Sequence, residues 1–357
     1  MTSASPVPLS VLDLAPVSAG STSAQALRTT IELARRAETL GYTRFWLAEH
    51  HNMPGIASSA PAVLVGQVAA ATSTMRVGSG GVMLPNHPPL VIAEQFGMLA
   101  ALHPDRIDLG IGRAPGTDAH TAHALRRSTA PLSADDFPQQ LGELMGYFEQ
   151  DPDEAVEPGG MPLAVPAAGN QPPLWLLGSS DYSATLAGML GLPFAFAHHF
   201  SAANTLPAAA IYRANFRPSP VLDRPYLMIA ASVVVADDDE TARWHAGPMG
   251  LSFLRLRQGR PGLLPSPEEA ADYPYTAFER KAVADRQASQ IVGGPATVLA
   301  GVTKLVAATK ADELMVTTMV HDPLVRFRSY ELLATLWSPE SGTRTQATTA
   351  AVTPART

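Results

Sequence analysis

The sequence predicts an α/β fold: a closed (β/α)8 TIM barrel with insertions after the fourth and the seventh strand. Three observations carry this. Short apolar runs alternate with amphipathic stretches along the chain, and strands that alternate with helices call for a parallel sheet. The Gly-x-Gly-x-x-Gly fingerprint that would follow the first strand of a doubly wound sheet is absent. The chain has 357 residues, 46% of them hydrophobic, which suits one barrel domain; such barrels often run past ~250 residues.

The elements follow in order. Residues 9–17 (LSVLDLAPV) make the first strand. Residues 23–40 make a helix, with Ala26, Leu27, Ile31, Leu33, Ala34 and Ala37 near helical spacing and Gly41 at its C′ position. The second strand is 44–50, and the next helix, 61–72, starts with Pro61 where proline is favoured. The third strand, 75–84, is interrupted by Gly78, Gly80 and Gly81. Helix 89–102 and strand 106–113 follow. The alternation then pauses: 118–150 reads as two helices with a proline-bearing break, and 151–160 as an exposed acidic loop. Strand 173–179, helix 182–190, strand 193–199, helix 202–217 and strand 226–236 restore it. A second irregular stretch, 244–290, is rich in Pro, Gly and Arg. Helix 295–309, strand 313–320 and helix 323–336 close the set. Residues 1–8 read as a flexible start, 9–337 as a single domain, and 338–357 as a disordered tail with almost no apolar pattern.

Composition removes several function classes. The formal net charge is -7 with no basic run, which argues against nucleic-acid or membrane-surface binding. Without cysteines there are no disulfides, thiolate metal sites or cysteine nucleophiles. No signal peptide and no transmembrane stretch is visible, so a cytoplasmic location is expected.

In a (β/α)8 barrel the active site forms where the strands end. Here those ends are polar and rich in histidine and glycine. FWLAEHHNMPG places His50 and His51 at the end of the second strand. Side chains alternate along a strand, so one of the two should face the barrel axis; an inward imidazole titrates near neutral pH and is a general acid/base candidate. Gly80 and Gly81 suggest a bulge or a close backbone approach. Arg113 ends the fourth strand. Gly178, Ser179 and Ser180 end the fifth, directly before a helix whose free N–H groups suit an anion. With the guanidinium this makes a phosphate site conceivable, although Ser180 or Asp181 could equally cap the helix. Asn86, His198, His199 and His321 also stand at strand ends, and Met53, Met83, Met319 and Phe196 would make a pocket apolar. His120 and His123 fit H-x-x-H but lack a third ligand. No metal site is expected, because Asp13-Leu14-Ala15 occupies the first strand end where metal hydrolases on this barrel place His-x-His. No Gly-x-Ser-x-Gly elbow is present.

Four stretches together resemble the bacterial luciferase-like flavin monooxygenases: FWLAEHHNMPG, MRVGSGGVMLPNHPPLVIAEQFGMLAALHPDRIDLGIGRAPGTD, PPLWLLGSSDYSATLAGMLGLPFAFAHHF and ADELMVTTMVHDPLVRFRSYELLA. They span nearly the whole ordered chain. LDLAPV and EHHNMPGIASSAP are similar to the subgroup named after an oxygenase of mensacarcin biosynthesis. The resemblance implies a barrel that binds reduced FMN, frequently as a homodimer, and reacts with O2 through a flavin C4a-peroxide to oxidise a small organic substrate. It implies His50 as the catalytic histidine, a non-prolyl cis peptide at Gly80-Gly81 against the flavin ring, and Arg113, Gly178, Ser179, Ser180 and Ser183 around the cofactor phosphate. Bacterial luciferase itself has a glutamate where this chain has Ser179, so that contact differs. A mobile cover is expected from 244–290, and a separate flavin reductase supplies FMNH2. Two alternatives share the fold: a deazaflavin (F420)-dependent hydride-transfer enzyme and a non-catalytic flavin-binding protein.

Overall fold

The computed structural model describes residues 6–114, 116–126, 136–153 and 159–337. The expected disorder of 338–357 and flexibility of the first five residues lie outside the described residues, as do parts of the first insertion (127–135) and its acidic loop (154–158).

Eight parallel strands close on one another. They are β1 (Leu9–Asp13), β2 (Arg44–Leu47), β3 (Arg76–Ser79) continued by the short β4 (Val82–Met83), β5 (Ile107–Gly112), β6 (Leu174–Gly178), β7 (Phe194–Ala197), β8 (Leu227–Val235) and, after a further short strand, β10 (Glu313–Thr317). Neighbours pair in that order, and β10 pairs with both β8 and β1 to complete the cylinder. The extra strand, β9 (Ile291–Gly293), pairs with the upper end of β8 at Val233 to Val235.

Helices α1 (Ser23–Thr39), α2 (Pro61–Ala71), α3 (Pro89–Leu102), α4 (Ala119–Arg126), α5 (Phe137–Phe148), α6 (Asp181–Met189) and α7 (Thr205–Asn215) follow in the expected places. The second insertion corrects the sequence reading. Residues 244–290 are not irregular: they hold most of α8 (Asp239–Arg257) and all of α9 (Pro267–Asp272) and α10 (Ala277–Gln287). Asp238, Ser266 and Thr276 cap these helices with their side chains. Gly247, Pro248 and Gly250 lie within α8 and disguised it as a loop. Helices α11 (Pro295–Thr309) and α12 (Pro323–Trp337) complete the ring. No described helix is long and apolar enough to cross a membrane.

Strand alternation sorts the side chains. Val11, Phe45, Leu47, Val77, Leu109, Ile111, Phe194 and Phe196 belong to the large apolar cluster between barrel and helices. Leu12, Trp46, Trp175, Met228 and Met315 form a second cluster inside the barrel, with Trp175 edge-on to Trp46 at 5.1 Å and to Tyr226 at 5.6 Å. Below them lies an ionic layer. Arg44 donates to Asp108 at 2.8 Å and to both Glu313 oxygens at 3.1 Å. Arg76 donates to Asp108 at 2.7 Å, and Tyr226 and Ser10 donate to Glu313. Buried charges persist only when paired and hydrogen-bonded, and this layer satisfies both conditions. The barrel is therefore plugged at its lower end and open above.

Candidate active site

Above the tryptophan layer a cavity of about 180 Å³ opens at the C-terminal ends of the strands. His50, Gly80, Gly81, Arg113, Gly178, Ser179, Ser180 and Ser183 all line it. The structure thus brings these eight residues to one cavity, drawn from the ends of β2, β3, β5 and β6 and from the first turn of α6, while Asn86, His198, His321, Met53, Met319 and Phe196 do not line it.

The floor is Leu12, Trp46, Ala195, Ala230 and Met315, and Gly80 and Gly81 form part of one wall. The peptide between Gly80 and Gly81 is cis. A Cβ at Gly81 would come within 2.7 Å of the Gly110 carbonyl oxygen, and one at Gly80 within 2.6 Å of Leu12 Cδ1. Only glycine fits at Gly81, where the obstacle is backbone.

On the β5–β6 side Arg113 lays its guanidinium 4.2 Å above the Tyr182 ring and, among the described residues, has no carboxylate partner. Ser180 is the N-cap of α6, yet its side chain makes no capping hydrogen bond. Asp181 accepts from the Tyr182 N–H instead. Gly178 packs so closely that a Cβ there would sit 2.4 Å from that of Ser183, which seats the Ser183 hydroxyl against the strand end.

β2 ends at Leu47, so neither His50 nor His51 lies within a strand, but the two still diverge. His50 lines the cavity, and its Nδ1 donates to the Gly116 carbonyl at 3.3 Å. Burial holds its pKa below the usual histidine value, so the ring is neutral at pH 7 and Nε2 keeps a free lone pair. His51 turns away. Its Nε2 donates at 2.8 Å to Glu49 Oε1, which also accepts from His87 Nε2 at 2.7 Å, while Glu49 Oε2 accepts from the Met83 N–H at 2.9 Å. Burial alone would raise the Glu49 pKa; the hydrogen bonds from His51, His87 and Met83 outweigh it and hold the carboxyl at about 2. This hub ties the end of β2 to the segment after the cis peptide. It was missed in the sequence because His87 comes from a separate loop. The three ligating atoms lie within 4.8 Å of one another, and the Nε2 of each histidine is hydrogen-bonded to Glu49.

His199 also lines the cavity, with Nδ1 donating to the Ala230 carbonyl at 2.9 Å. Burial first, then the nearby Arg286, lowers its pKa to about 4. His198 is bound to Thr205, and His321 donates to the Ala19 carbonyl in a separate polar pocket. Met83 lines the cavity, whereas Phe196 faces the helices. His120 and His123 are exposed on α4.

Residues 7–312 match the profile of the luciferase-like monooxygenases. The chain belongs to this family. A luciferase-like monooxygenase of Escherichia coli is 46% identical over 91% of the chain and 96% of the relative. An N-acetyl-S-alkylcysteine monooxygenase of Bacillus subtilis is 34% identical over 91% and 97%. The crystal structure of apo-MsnO8 superimposes with a TM-score of 0.84 at 41% identity, covering 93% of this chain and 98% of that one. The fold alone is shared with the oxygenating constituent of a 3,6-diketocamphane monooxygenase of Pseudomonas putida in complex with FMN, at 18% identity, TM-score 0.69 and coverage of 92% and 98%. It is shared too with an F420-dependent secondary alcohol dehydrogenase, at 13%, TM-score 0.69 and coverage of 94% and 100%. As a luciferase-like monooxygenase the chain is an oxidoreductase.

Proposed function

We propose that this luciferase-like monooxygenase uses reduced FMN and O2 to oxidise a small organic substrate. The observation that carries the reading is one cavity with an apolar part walled by Gly80 and Gly81 and, on another side, Arg113, which has no carboxylate partner among the described residues, beside the uncapping Ser180 hydroxyl. FMN has the matching polarity: a flat ring and a phosphate. Gly80 and Gly81 leave no side chain where the ring would lie. Arg113, Ser180 and Ser183 would hold the phosphate; the guanidinium lacks a carboxylate and the Ser180 hydroxyl is unspent on its helix. Bound reduced flavin would supply the two electrons that activate O2, one atom of which would pass to the substrate while the other leaves as water.

The chain's own groups then have defined tasks. His50, neutral with Nδ1 tethered to Gly116, would accept or relay a proton at Nε2 beside the ring. Apolar walls would keep water from the reacting face. Reduced FMN would come from a separate reductase, since this chain carries no dinucleotide fingerprint. A homodimer is supported by Val63, Met98 and Leu102, exposed on α2 and α3. A cytoplasmic setting fits a supply of reduced flavin.

The test is anaerobic titration with reduced FMN and, in parallel, reduced F420, followed by an oxygen pulse with absorbance monitored. Tight binding of reduced FMN, then an oxygen-dependent transient distinct from oxidised flavin, is expected. Preference for F420 with no such transient would move the protein to hydride transfer. Binding of flavin with no reactivity would make it a carrier. N-acetylated S-alkylcysteines are the first substrates to screen.

A further inference from the structure

His199 has no task in the proposed flavin chemistry, although it lines the cavity as His50 does. The two come from opposite walls. His50 follows β2 and His199 follows β7. Around the closed barrel β3, β5 and β6 separate these strands on one side, and β1, β10 and β8 on the other. Each ring gives its Nδ1 to a backbone carbonyl, His50 to Gly116 at 3.3 Å and His199 to Ala230 at 2.9 Å. A carbonyl oxygen only accepts, so the proton sits on Nδ1 and Nε2 is a bare acceptor. Among the described residues neither Nε2 has a hydrogen-bond partner, whereas His51 and His87 spend theirs on Glu49.

The His199 ring is held in place. It packs against the Phe200 ring, with centroids 4.3 Å apart at 44°, and the Nδ1 bond fixes its rotation. Burial keeps it uncharged at pH 7. On the same strand, Ala195 and Ala197 line the cavity with single methyl groups, which leaves room beside the imidazole. Leu14, Leu177 and Phe200 make the surroundings apolar. A buried acceptor in such surroundings is destabilising until a donor reaches it. A carboxylate or a ketone would set lone pair against lone pair. An ammonium group would find no carboxylate in the lining to offset its charge, and would find Arg113 already there. An uncharged group with an O–H or N–H meets neither obstacle.

We propose that His199 is a specificity residue whose Nε2 accepts a hydrogen bond from an O–H or N–H group on an uncharged organic substrate. That this ligand is the molecule oxidised rests on the monooxygenase reading; that the cavity takes an uncharged donor at His199 does not. A molecule held by this bond has the space between the two walls for its apolar body. Alcohols and N–H compounds would be accepted over ketones and ethers of the same shape.

The test compares molecules of one shape that differ in a single donor: indole against benzofuran, and cyclohexanol against cyclohexanone. Each is titrated by calorimetry into wild type, His199→Phe and His199→Gln, with the FMN-loaded and the flavin-free protein. Wild type should bind the donor-bearing member of each pair about three- to tenfold tighter. His199→Phe keeps a flat ring, and the Ala230 carbonyl keeps its other hydrogen bond, from the backbone N–H of position 199 at 3.1 Å. In that variant the preference should vanish, with benzofuran, cyclohexanone and FMN affinities unchanged. His199→Gln offers an amide oxygen and should keep part of the preference. Equal affinity within either pair in wild type, a preference that survives in His199→Phe, or no binding of any probe would overturn the proposal. Loss of FMN affinity in His199→Phe, with the probe preference intact, would assign the histidine to the cofactor instead. Failure of wild type to bind any flavin, with a probe preference still dependent on His199, would sink the flavin reading and leave this one standing.

Discussion

Replacing Glu49 by glutamine removes one charge and almost no volume. In the wild type Oε1 accepts from His51 and His87, and Oε2 from the Met83 N–H. A glutamine amide has one oxygen and one NH2 group. Turned one way, it keeps the histidines and points its NH2 at the Met83 N–H. Turned the other way, it keeps Met83 and faces two ring donors. Either orientation strands at least one buried donor, which costs about 1–3 kcal/mol. The ionisation balance gives the same scale. A carboxyl held at about 2 when folded and at about 4.3 when unfolded contributes about 3 kcal/mol at pH 7. These are two views of one set of contacts and do not add. A loss of about 3 kcal/mol lowers Tm by about 4 °C in a chain of this size. Because the folded pKa is depressed, the contribution is complete above about pH 4.5 and fades as the pH falls toward about 2. Thermal unfolding followed by circular dichroism at pH 7 and pH 3 reads both features. A difference below about 1 °C at pH 7, or one equally wide at pH 3, would refute the hub's role.

Three other substitutions probe the cavity. His50→Ala should leave FMN affinity intact and reduce kcat by about 10²–10⁴; unchanged turnover removes His50 from the chemistry. Arg113→Ala should weaken FMN at least about tenfold in an equilibrium titration, and an unchanged Kd would take it out of the phosphate site. Gly81→Ala places a Cβ 2.7 Å from the Gly110 carbonyl oxygen, so the wall must shift and FMN binding should fall steeply while far-ultraviolet dichroism stays near wild type. Normal FMN binding by that variant would show that the space serves no ligand.

Much of this was readable in the chain because a barrel puts its strand ends in one place. Once eight strands were counted, His50, Gly80, Arg113 and Ser180 had to share a rim, however far apart in sequence. Local geometry was harder. The His50–His51 pair was assigned to opposite faces by strand alternation, yet β2 stops at Leu47 and the divergence is enforced by Gly116 and Glu49 instead. Helix α8 was hidden because Gly and Pro are read as breakers, whereas its burial of Ala246, Leu251 and Leu254 outweighs their local cost. Contacts between distant loops, such as His87 on Glu49, leave no periodic trace.

The plugged lower end of the barrel has a consequence for traffic. Among the described residues the tryptophan layer and the ions beneath it close the lower end, so the cavity is reached from above. A flavin ring seated at its base, as proposed, would lie beneath any ligand that enters afterwards. It would then have to come first and leave last, and the architecture of a blind well would set the order of binding: last in, first out.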